Sequence, residues 1–485
     1  MRFARTLGGH MAACCIFLSL SSEAYAGAIF STDRGVRPMG RAGAFVAGAD
    51  DGQSVWMNPA GLSDAGNSLS TDAAVIVSPM DYTRQSETRD ADGVRRVGEF
   101  PKVTGAVALV PIPSVIYTRL LSPKWTGALS MLVPYGPQRS FPATVNGQGA
   151  PQRYSDISQD GSALVIVGAH AAYKFSDSFR VGAGLQVLVG ALKDRKVVQS
   201  ALPDRLITAP ESPEFDSDLT IRVGPIVSPS ANAGLVWVPS PHLRVGASVQ
   251  APFYVSAPAT LAVVLPSSAV LRGARQNGDS ATVSTWLPPF TRVGVEYRTA
   301  ERGAGLRVEA AWVREFASVF DKISVKPDNV SIDNISVLPS PLPIRELAAR
   351  NRTIDYDSLR LGAEYTYVPR GGTEAVEERV AGTWQFRGGA QYNGESVEPG
   401  YTQARTYGPA HVLATLGLGY QLSRKVALDA MYAKALRYSA TVNPRDAGVK
   451  AELIFEGNPT TRESHNGGVY EASLDVFGLG LRYAL

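Results

Sequence analysis

Cysteine is all but absent from this sequence. Only Cys14 and Cys15 occur, side by side near the N-terminus, so the rest of the chain cannot be held by disulfides. Long hydrophobic runs are missing as well. No later segment offers about 18 uninterrupted apolar residues, which excludes a transmembrane helix. Charge of one sign is missing: 47 basic against 44 acidic side chains leave +3, so no nucleic-acid partner is expected. Histidine is scarce. Of five, His10 lies in the N-terminal leader, and His170, His242, His411 and His465 stand in no serine or carboxylate pattern, although triads can assemble from distant residues. No catalytic residue, cofactor or metal is expected. The pair Asp50-Asp51 lacks further ligands at loop spacing. Linkers and low-complexity stretches are also lacking after residue 67, so a chain long enough for two or three soluble domains reads better as one continuous unit.

What is present begins with an address. Arg2 and Arg5 are followed by the apolar run Met11–Leu20 and by Ala24-Tyr25-Ala26, the order of a secretory signal peptide with cleavage after Ala26. Its apolar run of about ten residues is too short to span a bilayer.

From residue 68 onward the pattern alternates. Near-repeats recur: Phe179-Arg180-Val181-Gly182, Leu243-Arg244-Val245-Gly246, Thr291-Arg292-Val293-Gly294, Leu359-Arg360-Leu361-Gly362 and Phe386-Arg387-Gly388-Gly389. Side chains on a strand point alternately to opposite faces. Leu243, Val245, Ala247 and Val249 therefore share one face, and Arg244, Gly246, Ser248 and Gln250 the other. Fourteen strands can be marked, the first near 68–82 and the last near 470–485. The joints at 121–123, 176–177, 239–241 and 423–424 are tight, while 137–159, 318–353 and 440–469 are long; only 369–382 breaks the alternation. Short joints at one end and long loops at the other, with an even strand count, mark an outer-membrane barrel. Tyr297, Trp312, Tyr365, Tyr392 and Tyr420 are candidate interfacial girdle residues. The expected fold is all-β: a fourteen-stranded antiparallel transmembrane barrel over 68–485.

Residues 27–67 differ. They are rich in Gly and Ala, lack a strand period, and still carry Phe45, Val46, Val55, Trp56 and Met57. A barrel of fourteen strands has a lumen too wide for its own side chains to fill, so this segment reads as a compact plug. Asp50 and Asp51 are expected to pair with lumen arginines such as Arg244 or Arg292, each pair weak by itself in a wet lumen.

The motifs Gly40-Arg41-Ala42, Ala49-Asp50-Asp51 and Asn58-Pro59-Ala60, on this frame, resemble the N-terminal hatch of the long-chain fatty acid transporter family, the OmpP1/FadL/TodX proteins, which include toluene and xylene transporters. Pro134-Tyr135-Gly136 is similar to the end of that family's third strand, and Gly478-Leu479-Gly480-Leu481-Arg482-Tyr483 to its last. The final Leu485 departs from the usual aromatic, which shifts recognition by the barrel-assembly machinery toward Tyr483. The resemblance implies passive uptake of hydrophobic molecules, most simply long-chain fatty acids, with aromatic hydrocarbons as the alternative substrate and a general porin as the alternative function. It implies capture at external loops, a pocket near the mature N-terminus touched by Ile29 and Phe30, and lateral exit where Pro134, Tyr135 and Gly136 interrupt the wall. Asn58, Pro59, Ala60, Gly40 and Arg41 are expected as structural elements of the hatch. The partners implied are a hydrophobic small molecule, outer-membrane lipid and lipopolysaccharide; a monomer is expected.

Overall fold

The structure, a computed structural model, describes residues 34–89, 95–107, 111–133, 139–199, 216–266, 271–300, 303–336, 340–369, 380–436, 438–450 and 464–485. The leader 1–26, Ile29, Phe30, Pro134, Tyr135 and Gly136 lie outside the described residues, as does most of the joint 369–382.

The chain forms one closed antiparallel sheet of eighteen segments. Four pairs of these are consecutive halves of one strand, so the wall has fourteen strands. They are β1 Ser68–Val77, β2 Ile112–Leu120, β3 Trp125–Leu132, β4 Ala163–Lys174, β5 Phe179–Gln199, β6 Asp216–Ser240, and β7 Leu243–Gln250 continuing as Phe253–Val264. Then follow β8 Ser280–Leu287 with Phe290–Arg298, β9 Gly305–Glu315 with Lys322–Pro327, β10 Leu347–Arg350 with Tyr356–Tyr367, β11 Trp384–Asn393, β12 His411–Gln421, β13 Val426–Leu436 and β14 Asp475–Ala484. β14 pairs with β1 from Ser68↔Ala484 to Val77↔Asp475, which closes the sheet on itself. The alternation holds where it was read: Arg244, Ser248 and Gln250 point inward and are buried, while Val249 is exposed on the outside.

Beyond the membrane the strands run on. Met80–Arg89 prolongs β1 and pairs with Gly468–Ala472 and Val103–Val107 to form an external flap. On the second half of β7 the polarity inverts. Phe253, Val255, Ala257, Ala259 and Leu261 face inward and are buried, while Ser256 and Thr260 face out. An outward face that turns polar while the inward face turns apolar has left the hydrocarbon layer. The Tyr254–Trp286 ring pair, 4.6 Å apart, stands at that change. At the same outer rim Trp312 and Tyr392 lie in register with Leu359. Tyr297 and Tyr365 are exposed at the opposite rim, and Tyr420 is half-buried against Trp384 at 4.5 Å. Aromatics at two levels fit the girdles of a membrane barrel.

Inside the wall, residues 34–67 form two one-turn helices, α1 Val36–Met39 and α2 Ser54–Met57, and a 3-10 turn, Pro59–Asp64. Every residue from Val36 to Leu62 except Asp50 is buried. The segment crosses the lumen and packs against the wall around most of its circumference.

Candidate functional site

Helices of four residues have little intrinsic stability, because nucleation outweighs the few bonds gained. The wall supplies what they lack. The carbonyls of Val55, Trp56 and Met57 at the end of α2 accept from Asn232 Nδ2 at 2.7 Å, Arg292 Nη1 at 2.9 Å and Ser248 Oγ at 2.7 Å. Three strands thus satisfy the orphan carbonyls of one helix end. At the start of α1 the Val36 N–H donates to Asp72 at 3.0 Å. Between them the Glu309 carboxylate accepts three consecutive backbone N–H groups, from Val46 at 2.6 Å and from Ala47 and Gly48 at 2.9 Å. Such a row of N–H groups is an anion cradle, filled here by the barrel's own side chain.

The motif residues meet in this arrangement. The Asn58 amide donates to the carbonyls of Val46, 2.9 Å, and Leu235, 3.0 Å, and its oxygen accepts from Ala60 N–H at 3.2 Å. It therefore joins the two halves of the segment to β6 while capping the turn that Pro59 and Ala60 begin. Arg41 is fully buried and reaches Glu296 at 2.8 Å and Glu309 at 3.5 Å. Gly40 lies against Gly417 of β12, where a Cβ would come within 3.1 Å of the wall backbone.

The lumen glycines of the repeats have the same role from the other side. A Cβ on Gly182 would run into the Pro59 carbonyl carbon, one on Gly246 would come within 2.6 Å of the Val46 oxygen, and one on Gly362 would strike the Arg41 oxygen. The repeat x-Arg-x-Gly is thus more than strand periodicity: the glycine admits the plug's backbone. Its arginine can hold the plug, as Arg180 and Arg244 do toward Asp64 at 3.2 and 2.7 Å.

The charge partners differ from the expected ones. Asp50 pairs with Arg37 at 2.7 Å, Arg307 at 2.8 Å and Arg298 at 3.6 Å, and Asp51 with Arg37 at 3.1 Å. Neither meets Arg244 or Arg292. Arg292 lies at the level of Ser248, four residues along β7 from Arg244. There it stacks on Phe290, 4.2 Å away, beneath Trp56. Arg244 faces the 3-10 turn and takes Asp64. Nor are the pairs in open water. From Arg37 a chain of contacts runs to Glu364 at 2.9 Å, then Arg387 at 2.6 Å, Asp429 at 2.7 Å and Arg482 at 3.0 Å, crossing β10, β11, β13 and β14. Breaking a buried pair by removing one partner leaves an uncompensated charge and costs about 3–5 kcal/mol, well above the surface-pair range first assigned. The pairing roles of Glu296, Glu309, Glu364 and Asp429 are not part of the sequence reading; the signal for them is a carboxylate on the inward parity of a strand.

The histidines are spread over separate sites. His170 is buried against Ser130 Oγ at 3.0 Å, His242 Nδ1 donates to the Arg298 carbonyl at 2.9 Å, and His411 meets Asn393.

Cavities lie above and below the plug. The external one, about 210 Å³, is lined by Val36, Met39, Ile76, Ile112, Leu132 and Val476. Val133, the residue just before Pro134, also lines it. Arg139 enters it from the external side: its Nε and Nη2 donate to the Ser78 carbonyl, 3.1 Å, and hydroxyl, 2.9 Å, while Nη1 donates to the Met80 thioether at 3.7 Å. Burial pushes this guanidinium below its usual pKa. Among the described residues no carboxylate lies within ion-pair distance of it. The periplasmic cavity, about 500 Å³, is polar and lined by the Arg37, Asp50, Asp64, Arg180, Arg244 and Arg482 side chains.

A family model described as outer membrane protein transport protein (OMPP1/FadL/TodX) matches residues 17–484. No curated protein sequence matches the chain. Among solved structures, a Pseudomonas aeruginosa FadL homologue is 15% identical with a TM-score of 0.67, covering 95% of this chain and 100% of that one. The Ralstonia pickettii toluene transporter TbuX is 16% identical with a TM-score of 0.56, covering 94% and 99%. The P. putida toluene transporter TodX is 14% identical with a TM-score of 0.59, covering 92% and 98%.

Proposed function

Because the chain belongs to the OMPP1/FadL/TodX family of outer membrane transport proteins, we propose that it carries long-chain fatty acids inward by passive diffusion. Membership makes it an outer-membrane channel for hydrophobic compounds and not an enzyme. The choice of a carboxylate-bearing substrate rests on one observation, Arg139. A half-buried guanidinium whose Nη1 donates to a weak sulfur acceptor beside an apolar cavity is matched by a ligand with an apolar tail and an anionic head. An uncharged aromatic would offer that guanidinium no charged partner.

In this reading the external loops capture the ligand, and the 210 Å³ cavity holds it with help from Ile29 and Phe30. The wall next to Val133, at Pro134, Tyr135 and Gly136, releases it into the bilayer. Asn58, Pro59, Ala60, Gly40 and Arg41 belong to a hatch, residues 27–67, that blocks the direct route. That blockage favours selective uptake over a general porin. A lateral route suits an apolar tail, since each Å² kept out of water saves about 25 cal/mol. The reading includes a leader cleaved after Ala26, assembly by the barrel-assembly machinery through Tyr483, and a monomer surrounded by lipid and lipopolysaccharide.

The test compares labelled oleate and toluene in cells with and without the protein. Oleate uptake should depend on it. Arg139→Met keeps the stem and removes the charge; it should weaken oleate binding about ten- to hundredfold, the loss of one charged hydrogen bond. Protein-dependent toluene uptake without oleate uptake selects the aromatic substrate instead. Dependence of neither overturns transport.

A further inference from the structure

The wall between β6 and β7 is not zipped along its length. Asp218–Val223 pair with Ala259–Val264, and Asn232–Trp237 pair with Val245–Gln250. The Ala251 N–H still donates to the Ala231 carbonyl at 2.9 Å, but Gly224–Ser230 and Pro252–Pro258 form no ladder, although Ser228 still pairs with Leu188 of β5 and Tyr254 with Trp286 of β8. The cause is in the sequence. Pro225 and Pro229 on β6 and Pro252 on β7 have no N–H to donate, and prolines inside a sheet belong to edges and bulges. The inward parity also switches on both strands, from Val223 to Ile226 on β6 and from Gln250 to Phe253 on β7.

Side chains close the seam in place of the missing ladder. Ser228 Oγ donates to the Tyr254 carbonyl at 2.7 Å and Ser230 Oγ to the Ala251 carbonyl at 2.9 Å. Gln250 Nε2 reaches Ser230 Oγ at 3.1 Å and the Ala251 carbonyl at 3.2 Å. A hydroxyl staple is released by one rotation about χ1, whereas a strand ladder must separate cooperatively. Over this stretch the seam is therefore held by contacts that break more easily than a ladder.

What lies on either side of it is apolar. Behind it is a third cavity, about 100 Å³, lined by Val223, Ile226, Val255, Val283, Leu287 and Phe320. In front of it Val227, Tyr254 and Trp286 are exposed at the outer rim of the membrane. The cavity sits on the external side of the plug, whose Trp56 packs on Phe290 just below. The downward route crosses the buried ion pairs and the polar periplasmic cavity, both hostile to an alkyl chain.

We infer that the β6–β7 seam is a second lateral window, through which an aliphatic chain passes between this apolar cavity and the outer leaflet without displacing the plug. The inference rests on the transport reading and is independent of Pro134–Gly136.

The sequence has no cysteine beyond Cys14 and Cys15, so the pair V227C/Y254C can be bridged across the seam by a short bis-thiol reagent added to intact cells. The unbridged pair should take up a fluorescent long-chain fatty acid like the wild type. Bridging, verified by mass, should lower uptake by about tenfold, while binding of the same probe to the purified protein stays within about twofold. A second variant, S228A/S230A, removes the staples and should raise the uptake rate by about fivefold, the effect of losing roughly one net hydrogen bond from the closed seam. Unchanged uptake after verified bridging overturns the window alone. Absence of uptake in the wild type overturns the transport reading and the window with it.

Discussion

Glu309→Ala would strip three hatch N–H groups of their acceptor in one step and leave Arg41 to Glu296 alone. Each buried donor left unmet costs about 1–3 kcal/mol, which is large against the weak intrinsic stability of a segment built from one-turn helices. We expect the Glu309→Ala barrel to fold but to conduct ions in bursts in planar bilayers, where the wild type stays closed. Glu309→Gln keeps an acceptor oxygen and should conduct less often. A Glu309→Ala protein as silent as the wild type would mean that the cradle does not hold the plug. Gly182→Val tests the complementary side. Its side chain would meet the backbone at Pro59 and Ala60, so the same conductance should rise although no charge has changed. These residues were partly visible in advance. The Asn58-Pro59-Ala60 motif and the x-Arg-x-Gly repeats could be read, but their meeting could not, because Gly182 and Pro59 are far apart in the chain and face each other only once the sheet closes.

Among elements, the external flap carries the pH dependence. His465 is buried beneath it, its ring 5.6 Å from Tyr154, and the Tyr82 hydroxyl donates to its carbonyl at 3.1 Å. Burial, with the Arg84 charge nearby, pushes its pKa down to about 3. An unfolded histidine titrates near 6.5, so the open state binds the proton first. The flap is then fully stable above about pH 6.5 and loses stability as pH falls toward 3, by roughly 2 kcal/mol at pH 5. Hydrogen exchange in Gly468–Ala472 should accelerate between pH 6.5 and 5 relative to β14. His465→Gln should flatten that dependence; equal acceleration in the variant would place the titration elsewhere. None of the sequence around His465 announced this, since burial there is produced by the crossing of Met80–Arg89 with Gly468–Ala472. The strands themselves were legible, because period-2 alternation is a local property. Their external extensions were not, because on β7 and β8 the polarity inverts beyond the membrane and the apolar face changes sides.

For the whole molecule, the barrel and the plug are separable in stability. The wall closes on itself through β1 and β14, so removal of residues 34–65 leaves every strand paired. The deletion variant should still resist unfolding in detergent at room temperature, keep its heat-dependent shift on electrophoresis, and pass ions freely. Loss of the folded band would show instead that the buried carboxylates of β8 to β13 need the plug's arginines in order to fold. That outcome has a physical basis, since Arg37 and Arg41 neutralise Glu364, Glu296 and Glu309.

The barrel and its strand count were determined by the sequence alone, since both follow from local order: alternating faces and the regular succession of short and long joints. The tertiary structure decided which charges meet, which glycines admit the plug, and where the wall is unzipped. Those are long-range facts. A carboxylate on β10 and an arginine on α1 become partners only when fourteen strands curve around a lumen, and prolines on β6 and β7 weaken a seam only because those two strands become neighbours at the same height.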